Sequence, residues 1–117
     1  MMQHKTLEDG RWAAMPFVEQ MANIGSEVLR TSKWKIKGKS EYAAKAFERA
    51  LELFDLTIRY GRLSDGRKGR VPMLREVCRL REVFCECYLS ENQYAVASLD
   101  KYFMHFGIAA RRSRRPE

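Results

Sequence analysis

This chain has no long apolar run: nowhere do about 18 apolar residues follow one another, so a membrane-spanning helix is not expected. Proline is scarce, at three residues, which excludes collagen-like and proline-rich architectures. Histidine is scarcer still: His4 and His105 are the only two. Cysteine numbers three, and Cys78, Cys85 and Cys87 all fall in one predicted helix, so no disulfide framework tying distant segments is expected. Reduced thiols and a cytoplasmic location are the simplest reading, and the polar start MMQHKTLEDGRW lacks the apolar core of a signal peptide. No alternating apolar and polar pattern marks a strand.

Motifs that carry chemistry are missing as well. There is no phosphate loop ending in Lys-Ser/Thr, no dinucleotide-binding glycine pattern, no nucleophile elbow and no His-Glu-x-x-His. The run Gly66-Arg67-Lys68-Gly69-Arg70 has glycines and cations but no preceding strand and no hydroxyl placed for magnesium. Cys85 and Cys87 leave a helix on different sides, so they do not make a metal site. The sequence therefore predicts no catalytic residue, no metal, no cofactor and no small-molecule substrate, and the chain reads as a non-enzyme.

What is present is charge and helical periodicity. The formal net charge is +7 on 117 residues. Three segments hold most of the basic residues: Lys33, Lys35, Lys37 and Lys39; then Arg59, Arg62, Arg67, Lys68 and Arg70; then Arg111, Arg112, Arg114 and Arg115. Only two acids, Asp65 and Glu117, lie within them, so the rest of the chain is net acidic. A basic surface of this kind attracts phosphate polymers or acidic proteins and leaves the fold undetermined.

The sequence divides into a flexible arm over 1–11, one helical-bundle domain over 12–110 and a disordered basic tail over 111–117. Trp12 to Met15 make the first contact with the core. Pro16 opens a helix reaching Ile36, with Val18, Met21, Ile24, Gly25, Val28 and Leu29 as its core stripe. Gly25 in mid-helix costs about 1 kcal/mol against alanine, which points to a closely approaching neighbour. Gly38 suits the left-handed residue that ends a helix, and Ser40 suits the cap of the next, over about 41–59. Ala43, Ala46, Phe47, Ala50, Leu53, Phe54, Thr57 and Ile58 form one side of it, with Glu41, Lys45, Glu48 and Arg49 on a solvated side. Residues 60–71 read as a loop. Pro72 opens a third helix to Leu89, carrying Leu74, Val77, Leu80, Phe84 and Tyr88. A short turn over 94–97 precedes a last helix capped by Ser98. The expected fold is an all-α bundle of four main helices, with the hairpin of the first two at its centre.

Several resemblances follow from these residues. ANIGSEVLR, KWKIKGKSEYAAKAFERALELFDLTIRY and RLREVFCECY together resemble a group of short, all-helical bacterial proteins without an assigned function. Trp34, Gly38, Ala43, Phe47 and Ala50 are similar in spacing to one tetratricopeptide hairpin, where about three units are needed for a solenoid. The same segment resembles the HEPN family of four-helix proteins, which implies dimerisation and, in its RNA-cleaving members, an arginine four to six residues before a histidine. Neither His4 nor His105 has such an arginine, so that chemistry is not implied here.

The function expected from this reading is a binding module for another protein or for a second copy of itself. The alternative is RNA or DNA binding through the basic loop 59–70 and tail 111–115, with Trp34 available either to the core or to stack on bases. The corresponding residues are Lys33, Trp34, Lys35, Lys37, Arg59, Arg62, Arg67, Lys68, Arg70, Arg111, Arg112, Arg114 and Arg115. A HEPN-like ribonuclease is the third reading.

Overall fold

A computed structural model describes residues 10–60 and 70–113, together with the side chains of all of these but 70–72 and 113. Its elements run in the order α1 (Trp12–Ala14), α2 (Phe17–Ile36), α3 (Ser40–Tyr60), α4 (Arg70–Leu89), a 3-10 turn (Val96–Leu99) and α5 (Asp100–Ser113). The fold is an all-α bundle, as the helical periodicity predicts.

Pro16 serves as the cap of α2 rather than its first residue: at φ −57° and ψ 148°, its carbonyl accepts the N–H groups of Glu19 and Gln20. Proline suits this place because it brings no N–H of its own that would need a partner. The other end of α2 closes as a Schellman motif. Gly38, at φ +72°, donates its N–H to Lys35 C=O, and Lys39 donates to Trp34 C=O. Ser40 is not the cap of α3. Ala43 N–H already bonds Lys39 C=O, which puts Lys39 at the cap and Ser40 in the first turn.

The α2–α3 hairpin is the centre, with α5 packed along α2 and α4 along α3. Because Ser32 meets Asp100 and Phe17 meets Phe106, α5 runs antiparallel to α2. The core holds Trp12, Met21, Ile24, Val28, Leu53, Phe54, Leu56, Val77, Phe84, Val96 and Phe103. An aromatic chain crosses it: Tyr88 stacks on Phe47 at 3.9 Å between centroids, Phe47 contacts Phe84, Phe84 contacts Phe54, and Phe54 meets Phe103 edge-on at 6.4 Å. Offset and edge-to-face pairs of this kind add about 0.5–1.5 kcal/mol each beyond area burial.

Buried polar groups fasten the N-terminal turn. Trp12 Nε1 donates to Thr57 Oγ1 at 2.9 Å, and Gln20 Nε2 donates to the carbonyls of Trp12 and Met15. Glu27, almost buried, accepts from Arg30 at 3.0 Å and from Arg49 at 3.2 Å. Arg49 thus leaves the solvated side predicted for it and ties α3 to α2.

Other boundaries also differ from the sequence reading. Helix α4 starts at Arg70, two residues ahead of Pro72. Ser98 caps nothing: its hydroxyl donates to Ala95 C=O inside the 3-10 turn, and α5 begins at Asp100. Arg111 and Arg112, assigned to the tail, form part of the last turn of α5.

Candidate functional site

A groove of about 510 Å3 lies between α2 and α5. Two helical stripes make its walls. Ala22, Gly25, Ser26 and Leu29 recur at steps of three, one and three on α2, and Asp100, Met104, Gly107 and Arg111 at steps of four, three and four on α5, so each set shares one helix face. Gly25 and Phe103 both line the groove and pack together so tightly that no Cβ would fit on Gly25. Leu29, predicted as core, is instead 47% exposed on the α2 wall, and Met104 on the α5 wall is 52% exposed. The apolar stripe on α2 is wider than the surface its neighbours cover, so its edge residue is left facing water.

One end of the groove carries a carboxylate in an unusual setting. Asp100 Oδ2 accepts the hydroxyl of Ser32 at 3.0 Å, while Oδ1 is buried and accepts no hydrogen bond among the described residues. Desolvation raises the Asp100 pKa above the ordinary carboxylate value, with the Ser32 bond opposing it in part. Nearby on α5, burial and the charge of Glu76 raise the pKa of Tyr102.

The structure divides the predicted basic set between the two ends of the bundle. Lys33, Trp34, Lys35 and Lys37 lie at the closed end of the hairpin. Arg59 lies at the last turn of α3, with its guanidinium 5.7 Å from the Tyr60 ring centre, and Arg111 and Arg112 end α5. About 30 Å of helix separates Arg59 from the lysine group, whereas Arg111 lies about 16 Å along α5 from Asp100, which bonds Ser32 beside those lysines. Arg62, Arg67, Lys68, Arg114 and Arg115 lie outside the described residues, as does most of the predicted loop; Arg70 opens α4.

Within the lysine group the members have different tasks. Lys35 turns inward: its Nζ donates to Tyr88 C=O at 2.7 Å and lies 5.0 Å from the Tyr88 ring centre. It caps the C-terminus of α4, where orphan carbonyls favour a cation. Lys33 and Lys37 face solvent. Trp34 is half-buried and stacks on Tyr42 at 4.8 Å, so the tryptophan belongs to the surface of the hairpin and not to its interior.

Cys78, Cys85 and Cys87 are half-buried free thiols. Among the described residues no three His, Cys, Asp or Glu side chains converge as a metal site, and no helix is long and apolar enough to cross a membrane.

The sequence reading missed the groove. Leu29, Asp100, Met104 and Gly107 carry no motif, and only the 3–4 spacing of the two stripes hints at a shared face. Compared with known proteins, the chain matches no family model, no curated protein and no solved structure, so the tetratricopeptide-like and HEPN-like resemblances rest on the quoted residues alone.

Proposed function

We propose that this chain is a non-enzymatic protein-binding module that works through the α2–α5 groove, and that the partner the groove fits best is a second copy of the chain. The observation that carries this reading is the register of the α5 stripe. A two-fold axis crossing α5 midway between Met104 and Gly107 would set Asp100 opposite Arg111 of the second copy, and Met104 opposite its Gly107. The charges are then complementary at both ends, some 16 Å apart along the helix. The middle is complementary in shape, since open space lies above Gly107: a Cβ there would meet only Arg111 Nη1, at 3.8 Å. The exposed Leu29 and Met104 supply the apolar centre that a self-associating face requires.

Sedimentation over a concentration series tests this. The expected result is a monomer–dimer equilibrium that Met104→Glu abolishes, that Arg111→Glu weakens by placing like charges together, and that Arg111→Lys largely keeps. Met104 and Arg111 are exposed, so these variants should keep the helical circular dichroism of the parent chain. A chain that sediments as a monomer up to its solubility limit would overturn the reading.

A further inference from the structure

The closed end of the α2–α3 hairpin carries a second surface feature, separate from the groove. Arg30, Lys33, Trp34 and Lys37 recur at steps of three, one and three, which puts them on one face of the C-terminal end of α2, with Lys37 at its C-cap. Together they line a cleft of about 180 Å3. The Trp34 ring is supported by Tyr42 of α3, stacked at 4.8 Å with 28° between the planes, and Lys37 Nζ lies 5.3 Å from its centre. Tyr42 is itself 54% exposed. The Schellman turn fixes the backbone beneath, because Trp34 C=O accepts the Lys39 N–H at 2.9 Å.

We infer that this face binds single-stranded nucleic acid, with a base stacked on the Trp34–Tyr42 pair and neighbouring phosphates held by Lys33 and Lys37.

Three physical points favour this ligand. A tryptophan half-exposed on a helix surface and held by a second ring is a ready stacking platform, and base–aromatic stacking accepts any base. The cations flank the rings at the spacing of one helical turn, about 5.4 Å, close to the distance between successive phosphates of a strand. The cleft is far smaller than the roughly 300–1,000 Å3 of sites that enclose a whole small molecule, so it suits one planar group of a ligand whose remainder lies outside. A duplex fits poorly, because its bases are already stacked and shielded. The carbonyls ending α2 oppose an anion with about half a negative charge. Lys33 and Lys37 outweigh that, even though Arg30 is partly neutralised by Glu27 at 3.0 Å. Lys35 takes no part, since it is turned toward α4.

The inference stands apart from the self-association reading, and either can fail alone. Its test is titration of the full chain with a short oligouridine RNA, the matching DNA strand, a duplex of the same length and a polyglutamate peptide. Tryptophan emission and anisotropy are followed at several salt concentrations. Trp34 is one of two tryptophans, and the other, Trp12, is buried and hydrogen-bonded to Thr57, so quenching reports on Trp34. Both single strands should quench the emission and bind more tightly than the duplex. Trp34→Ala should weaken binding about tenfold. Trp34→Phe, which keeps a ring on Tyr42, should retain most of the affinity while losing the quench. The double variant Lys33→Gln/Lys37→Gln should lower the slope of log affinity against log salt by about 1.4, since each single-strand phosphate contact contributes about 0.7. Binding without quenching, Trp34→Ala binding as the parent does, or polyglutamate binding as tightly as RNA would each overturn the inference; the last would mark the face as a dock for acidic protein.

Discussion

A Cβ placed on Gly25 would lie 2.8 Å from the Cβ of Phe103, which is closer than side-chain carbons approach in folded proteins. The glycine is what lets α2 and α5 come together, and it sets the depth of the groove between them. In an exposed helix Gly→Ala would gain about 1 kcal/mol. Here the atom met is a Cβ fixed to the partner helix, which cannot rotate away, and overpacking costs about 1–3 kcal/mol. Gly25→Ala should therefore lower stability, seen as a reduced urea midpoint with unchanged slope. A rise in the midpoint would show that the two helices can separate without loss.

Thr57→Val keeps the shape of a buried side chain but removes the acceptor of Trp12 Nε1. A buried donor without a partner costs about 1–3 kcal/mol. Loss of that order is expected in chemical denaturation, with a shift of Trp12 emission as the N-terminal turn loosens.

Lys35→Met should separate fold from binding. It removes the charge-assisted bond to Tyr88 C=O and the cation above the Tyr88 ring. Since Lys35 is only half-buried, a loss of about 1–2 kcal/mol is expected in thermal unfolding. Affinity for oligouridine should stay as in the parent chain, in contrast to Lys33→Gln/Lys37→Gln.

Asp100 predicts a pH dependence whose sign follows from its raised pKa. The folded chain holds this proton more tightly than the unfolded chain does. Its contribution to stability is thus full below the ordinary carboxylate value of 3.8 and is lost as pH rises through the folded value. Ser32 faces it from α2, and Lys101 and Arg111 share its groove. Melting temperatures measured from acid to neutral pH at low protein concentration should show Asp100→Asn gaining on the parent chain as pH rises. A constant difference between the two would rule this out.

The groove and the fold were legible to different degrees. Short-range features read directly: the left-handed Gly38 and the span of the hairpin follow from local backbone preferences and from 3.6-residue periodicity, while the cost of a mid-helix Gly25 pointed to a close neighbour without saying that it is Phe103. Helix starts read less well. Ser40 and Ser98 have the chemistry of caps, yet Lys39 and the 3-10 turn ahead of Asp100 take those places, because cap position is set by where the chain can turn between packed helices.

By itself, then, the sequence determined the class of fold and the hairpin at its centre, since apolar stripes and helix-ending residues act over a turn or two of chain. The tertiary structure alone decided which side chains became surface. Leu29 moved from the stripe to a groove wall because α5 covers only part of α2; Lys35 left the basic set because the end of α4 arrives beside it; and Asp100 was joined to Ser32, 68 residues earlier, by the antiparallel seating of α5. Such pairings depend on which helices lie side by side, a choice made by the whole core at once.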